Sequence, residues 1–223
     1  SLGAGKSIAV LVRKNALKYN QNAHPSPCGG WMREDVIRSI VAQAKGDIIV
    51  STTGKTSREL FEIREQNGQS HQYDFLTVGS MGHSSSIALG IALNKPGTRI
   101  WCIDGDGAAL MHMGALALIG AKAPSNLVHV IINNGAHESV GGQPTVARQI
   151  DFQKIALGCG YKEVYRATCS DELENVILQI PRLQGPVLLE VIAAVGSRSN
   201  LGRPTTTPTE NKNAIMKYLK ECR

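Results

Sequence analysis

Several kinds of protein are excluded by what this sequence lacks. It has no apolar run near the ~18 residues a spanning helix needs, so no membrane segment is expected. Its start, Ser1-Leu2-Gly3-Ala4-Gly5-Lys6, has neither an initiator Met nor the charged and apolar regions of a signal peptide, and it reads as an internal start. Aromatic residues are scarce, at 4%, and do not interleave with basic ones as base-stacking platforms do, so nucleic acid is not an expected partner. The five cysteines (Cys28, Cys102, Cys159, Cys169 and Cys222) form no CxxC and no metal-finger spacing. Their odd number, with Cys102 inside an apolar stretch, fits a reducing cytoplasm. No GxGxxG follows a strand with an acidic residue about 20 positions on, which argues against a dinucleotide site. There is no internal repeat.

What remains is an ordinary globular composition. The chain has 223 residues, 42% of them apolar, enough for one large domain or one domain with appendages. The net charge of +6 is scattered. It reads as a solvated basic surface, or as one suited to anionic substrate and cofactor phosphates. Along the chain, short apolar runs alternate with helical periodicity. Strands are expected at 8–12, 47–51, 75–78, 98–103, 127–132, 162–166 and 187–192. Helices are expected at 33–44, 57–64, 84–93, 108–121, 149–157, 171–179 and 211–219. Such alternation predicts an α/β fold: a doubly wound, mainly parallel sheet with helices on both faces. Residues 1–30 read as the end of a preceding domain plus a Pro- and Gly-containing linker, 31–195 as the main domain, and 196–223 as a tail with a short helix.

The strongest motif is Gly105-Asp106-Gly107 at the end of one strand, answered by Asn133-Asn134 at the end of the next. A helical crossover between them would bring a carboxylate and a carboxamide to one edge of the sheet. That is where open α/β sheets bind ligands, and oxygen donors suit a hard divalent cation. Two further strand-to-helix turns carry ligand-like chemistry. Ser51-Thr52-Thr53-Gly54-Lys55-Thr56-Ser57 offers hydroxyls, a glycine and a lysine at a helix start, as a phosphate cradle or as a helix cap from Thr56 or Ser57. Gly79-Ser80-Met81-Gly82-His83-Ser84 offers close backbone approach, or simply a tight turn. The polar stretch 134–145 holds His137 and Glu138 close to the cation site. His137 is a candidate for acid–base work or a solvated loop histidine; His83 is similar, and His112 reads as a packing residue. Gly3-Ala4-Gly5-Lys6-Ser7 looks like the end of a P-loop, but the required preceding strand is lacking.

The GDG and NN motifs resemble the signature of thiamine-diphosphate enzymes. That resemblance implies that Asp106, Asn134 and the Ala136 carbonyl hold Mg²⁺ against the diphosphate. Gly105, Gly107 and Ala108 then belong to the cofactor site. It implies that Met81 is the wedge enforcing the bent cofactor conformation, that the Gly79 carbonyl accepts from the 4′-amino group with Ser80 beside it, and that Lys55, Thr56 and Ser57 meet the diphosphate. Lys55 is equally a candidate for an anionic group on the substrate, and His83, His137 and Glu138 for substrate contacts.

Within the family the chain is most similar to phosphonopyruvate decarboxylases. The likeness runs through Thr52-Thr53-Gly54-Lys55-Thr56-Ser57-Arg58-Glu59-Leu60-Phe61, 74–83, and Asn133-Asn134-Gly135-Ala136-His137-Glu138-Ser139-Val140-Gly141-Gly142-Gln143-Pro144-Thr145. The implied activity is a carboxy-lyase: Mg²⁺- and thiamine-diphosphate-dependent cleavage of 3-phosphonopyruvate to phosphonoacetaldehyde and CO₂, in phosphonate biosynthesis. Sulfopyruvate decarboxylase, another 2-keto-acid enzyme of the family such as an acetolactate-synthase-like protein, or a non-catalytic subunit are the alternatives. Family members carry a second, pyrimidine-binding domain that supplies an activating Glu. This chain matches only the pyrophosphate-binding one, so no catalytic residue of that kind is assigned in it. The expected partners are a pyrimidine-binding domain or subunit, further copies in a dimer or larger homo-oligomer, and a small anionic keto acid. The chain on its own is expected to be inactive.

Overall fold

The computed structural model describes residues 9–13, 16 and 30–221. Its elements run α1 (Arg33–Gln43), β1 (Ile48–Ser51), α2 (Lys55–Gln66), β2 (Asp74–Leu76), α3 (Ser84–Asn94), β3 (Ile100–Gly105), α4 (Asp106–Met111), α5 (Gly114–Lys122), β4 (Leu127–Asn133), β5 (Ala136–His137), β6 (Gln143–Pro144), α6 (Phe152–Cys159), β7 (Glu163–Ala167), α7 (Ser170–Gln179), β8 (Val187–Ile192) and α8 (Pro208–Glu221). Six strands form one sheet in the order β2-β1-β3-β4-β8-β7, every pair parallel. The expected doubly wound fold is therefore present.

A sheet covered on both faces needs strands that are apolar throughout, and β4 is buried along its whole length. Its side chains alternate between two cores. Val128, Val130 and Ile132 meet the layer of α1, α2 and α7, whereas Leu127 and Ile131 meet the layer of α3, α5, α6 and α8. Fully buried Ile37, Ile40, Leu60 and Ile119 on those helices each contribute about 1.5–3 kcal/mol of apolar burial. Trp101 is also fully buried, and its one polar atom, Nε1, donates to Asp47 at 2.8 Å. The outer edge of β2 is covered by α8, where Asn211 accepts from Leu76 N at 3.0 Å and donates to the Asp74 carbonyl at 2.9 Å. Among the described residues no helix is long and apolar enough to cross a membrane.

Four expectations shift. The helix expected at 108–121 is two helices, α4 and α5, parted at His112-Met113. The break lets the His112 ring meet Gly82, where a β-carbon would lie 2.5 Å from Nδ1, and pack on His83 with ring centroids 4.0 Å apart and ring planes tilted by 51°. Helix α2 starts at Lys55 rather than at Ser57. Gly54, at φ 98°, takes the cap position, so neither Thr56 nor Ser57 caps it. Helix α6 starts later than 149, because Asp151 caps it by accepting from Lys154 N at 3.1 Å. The polar stretch after Asn134 is not simply a loop. It folds into a small antiparallel ribbon of β5 and β6.

The strand expected at 8–12 is not formed by its described part. Residues 9–12 have no regular structure, and Val10, Leu11 and Val12 are exposed, with no neighbouring strand to pair with. Ile8, the P-loop-like 3–7, nearly all of the linker 20–30, Cys28 and Cys222 lie outside the described residues.

The second core also contains a polar chain. Tyr161 Oη and His129 Nδ1 are 3.0 Å apart, and His129 Nε2 and Asp104 Oδ2 are 3.1 Å apart. Ser84 Oγ donates to Asp104 Oδ1, and Cys102 Sγ lies 3.8 Å from Asp104 Oδ2. All are buried. Burial pushes the Cys102 thiol and the Tyr161 hydroxyl well above their usual values, with the Asp104 charge adding to it. The chain ties β3 to β4 and to the first residue of α3.

Candidate functional site

The carboxyl ends of β1, β3 and β4 open into one cleft, the position a parallel sheet favours for ligands. Asp106 begins α4 directly after β3, and Asn134 directly follows β4. Strand alternation separates the two asparagines. Asn133 turns into the sheet layer and donates to Glu190 at 2.7 Å, while Asn134 lines the cleft.

Asp106 is 2% exposed. Burial raises its carboxyl above the usual carboxylate range. A hydrogen bond from Thr145 Oγ1 and backbone N–H groups act against that shift. Asn134 Oδ1 accepts from Ala136 N at 3.0 Å, which leaves one lone pair of that oxygen for another ligand. The partner of Ala136 in the ribbon is Pro144, which has no N–H and cannot cap the Ala136 carbonyl. A carboxylate, a carboxamide oxygen and a peptide carbonyl thus share one wall. All three are hard oxygen donors, the set a Mg²⁺ ion takes together with phosphate oxygens.

The facing wall comes from β1 and α2. Thr52 Oγ1 is buried there with no hydrogen-bond partner among the described residues. Helix α2 has no side-chain cap and no acidic residue in its first turn. An orphan hydroxyl beside open N–H groups fits a diphosphate. The third side is the turn after β2. Gly79, Ser80 and Gly82 all have positive φ (70°, 45° and 89°), which carries Met81 into the cleft. A β-carbon on Gly82 would lie 2.8 Å from the Ala108 carbonyl, so this turn is packed against α4. Gly107 has a similar constraint: a β-carbon there would meet the His137 ring at 2.4 Å.

One side of the cleft is a largely buried ion cluster. Arg33 donates to both Glu59 oxygens, at 2.6 and 2.7 Å, and to Glu138. Lys55 Nζ reaches Glu138 at 3.2 Å. Burial works against the Arg33 charge, but the hydrogen bond and charge of Glu59, then Glu138, outweigh it and hold the guanidinium protonated. Burial raises the Glu59 carboxyl, with Arg33 opposing. Paired charges of this kind are tolerated in an interior, and losing one partner strands the other.

The residues expected at the site divide. Lys55, Thr56, Met81, Gly105, Asp106 and Gly107 line the cleft, as do Ala108, Asn134, Ala136, His137 and Glu138. Ser57 does not; its hydroxyl donates to the Thr52 carbonyl at 2.7 Å and lies 2.8 Å from Ser51 Oγ, bracing the turn. Gly79 donates to Thr53 Oγ1 at 3.1 Å outside the cleft lining, and Ser80 faces a groove beside α8. His83 is exposed, its Nδ1 3.1 Å from the Ser80 carbonyl. Sequence reasoning did not single out Arg33, Glu59 or Thr145 as site residues, and it named Thr52 only as part of the hydroxyl-bearing cradle. Arg33 opens an amphipathic helix, where an arginine looks solvated, and nothing local marks its partners across the fold.

Comparison with known proteins identifies the family. Residues 52–191 match the family described as thiamine pyrophosphate enzyme, C-terminal TPP binding domain. Phosphonopyruvate decarboxylase of Streptomyces viridochromogenes is 41% identical over 162 residues, which is 73% of this chain and 39% of that protein. The chain thus spans about two fifths of that relative's length. Sulfopyruvate decarboxylase subunit beta of Methanococcus maripaludis is 30% identical over 189 residues, 85% of this chain and 98% of that subunit. An X-ray structure from Mycobacterium smegmatis, described as a thiamin diphosphate-dependent enzyme, superposes with a TM-score of 0.61 at 21% identity, over 78% of this chain and 34% of that one. This last likeness concerns the fold.

Proposed function

The chain belongs to the thiamine pyrophosphate enzyme family, through its C-terminal TPP-binding domain, and from that premise we propose that it is the diphosphate-binding half of a Mg²⁺-dependent decarboxylase acting on 3-phosphonopyruvate. The observation that carries the reading is the wall formed by Asp106, Asn134 and the Ala136 carbonyl, facing the orphan Thr52 hydroxyl across one cleft. The 41% identity to a phosphonopyruvate decarboxylase supports the choice of substrate.

In this mechanism Asp106, Asn134 and the Ala136 carbonyl would hold Mg²⁺, and Lys55, Thr56 and the open end of α2 would bind the diphosphate. Met81, which lines the cleft, would pack against the cofactor rings. Thiamine diphosphate, when bound, would supply a nucleophilic carbon and an electron sink for the electron pair left behind as CO₂ is released. His137, its ring against Gly107, handles the proton delivered to the product carbon, and Glu138 fixes the amide of Asn134. The activating Glu is supplied by a pyrimidine-binding partner. The near-complete coverage of a relative named as a beta subunit supports a separate subunit in that role, in an assembly of several chains.

Sulfopyruvate is the second reading, favoured by the same coverage. CO₂ release from each keto acid by the assembled protein, with Mg²⁺ and thiamine diphosphate, tests the choice. Turnover of 3-phosphonopyruvate that vanishes in Asp106→Ala supports the proposal; turnover of sulfopyruvate alone replaces the substrate. Silence on both, with no Mg²⁺-dependent cofactor binding, would leave a non-catalytic subunit. CO₂ release by this chain alone would contradict the need for a partner.

A further inference from the structure

Beside the cleft, past Lys55, lies a groove of about 490 Å³. It shares Thr53, Lys55, Glu138 and Ser139 with the cleft, so one ligand can lie across both. Lys55, Arg58 and Arg203 line it. Arg58 is occupied: its Nε and Nη2 donate to the Gly202 and Leu201 carbonyls. Glu62 holds the same segment, accepting from Gly202 N and from Arg198. These contacts pin the chain just before Arg203 onto α2. Arg203 itself is exposed and has no ion pair or hydrogen bond among the described residues. Thr77 lines the same groove at 5% exposure, and its Oγ1 has no partner among the described residues. A buried hydroxyl without a partner is unfavourable unless a ligand meets it. Glu138 is the one acidic residue lining the groove, and Arg33 and Lys55 already balance its charge.

Phosphonopyruvate and sulfopyruvate, in the names of the two relatives, both place a tetrahedral oxyanion on the carbon next to the ketone. The diphosphate end of the cofactor is accounted for at Asp106 and Asn134, so this second anion needs its own site. We propose that the groove is that site, with Arg203 as the charge partner of the tetrahedral anion and Thr77 as its hydrogen-bond donor. Arg203 is then a specificity-determining residue. This inference rests on the reading of the protein as a keto-acid decarboxylase, and its test must separate the two.

The test compares the holoenzyme with Arg203→Gln and Arg203→Lys on 3-phosphonopyruvate, sulfopyruvate and pyruvate. Loss of one charge-assisted contact should raise KM for the matching anionic substrate about tenfold with kcat nearly unchanged. Pyruvate should be unaffected, and Lys should recover most of the loss. An effect confined to sulfopyruvate names sulfonate as the ligand; one on 3-phosphonopyruvate names phosphonate. Equal effects on all three substrates, or none on any, overturn the inference. Calorimetric binding of phosphonoacetate, which needs no turnover, separates the premises. Binding that depends on Arg203 without turnover of either acid keeps the subsite and removes the decarboxylase reading. Turnover with KM and phosphonoacetate Kd indifferent to Arg203 keeps the decarboxylase and removes the subsite. Neither turnover nor binding removes both.

Discussion

Asn134 is held by Glu138: its Nδ2 donates to Glu138 Oε2 at 2.7 Å, so its Oδ1 is the oxygen left to serve the cleft. Glu138 is itself fixed by Arg33 and Lys55. The orientation of a neutral metal-ligand candidate therefore depends on a buried ion cluster reaching back to α1 and α2. Glu138→Gln keeps the shape but sets an amide N–H₂ among donors. Mg²⁺ affinity in the presence of thiamine diphosphate should fall about 10–100-fold, the usual effect of losing a group that orients a ligand. Folding stability should fall by about 1–3 kcal/mol. Calorimetric Mg²⁺ titration and urea unfolding measure the two, and an unchanged Mg²⁺ affinity would remove Glu138 from the role.

Met81 reaches the cleft only because Gly79, Ser80 and Gly82 adopt positive φ, and Ser80 does so with a side chain. Residues held in such conformations cluster at functional sites. Met81→Ala should lower kcat about 100-fold through misplacement of the reacting carbon, with cofactor Kd changed only a few-fold. Steady-state rates and calorimetry separate the two effects. A parallel loss of binding and kcat would make Met81 a mere packing residue.

Sequence alone conveyed the sheet, its helices and the Asp106–Asn134 wall, because these follow from local patterns: apolar strand runs, glycine turns and paired motifs at strand tips. It did not convey the break at His112-Met113. That break places His112 against Gly82 and His83, which are distant in the chain. Nor did it convey the role of Arg33, whose partners Glu59 and Glu138 lie far along the chain. Ser57 shows the opposite failure. A hydroxyl at a helix start has the right chemistry for phosphate, but its neighbours Ser51 and Thr52 use it first.

The segment before Arg203 should loosen in acid. Its anchor Glu62 is held below the ordinary glutamate value of 4.5, first by the hydrogen bond from Arg198 and also by Gly202 N. A depressed folded value means the contact stabilises the fold above the unfolded value and is lost as pH falls through the folded one. Amides of 198–203 should thus keep their hydrogen-exchange protection from pH 7 down to about 5 and lose it below about 4.5. Glu62→Gln should abolish this pH dependence. Protection that stays flat into acid in the unaltered protein would show that Arg58 alone holds the segment.

Asp104, two residues before Asp106, carries a role that its motif does not announce. Ser84, His129 and Cys102 all direct their polar atoms at its carboxylate, inside a core that admits no water-exposed alternative. Asp104→Ala strands those donors, at about 1–3 kcal/mol for each strong one, so a loss of roughly 3–5 kcal/mol is expected in urea unfolding. Asp104→Asn should cost much less. The carboxamide oxygen can still accept from Ser84, and His129 can present a bare Nε2 to the amide while its Nδ1–H turns to Tyr161. Because Ser84 opens α3 directly after the Met81 turn, the Ala variant should also weaken thiamine-diphosphate binding under conditions where it is still folded. If Ala and Asn are equally mild, the buried polar chain is incidental to the core, and the turn carrying Met81 is held by its glycines and by α4 alone.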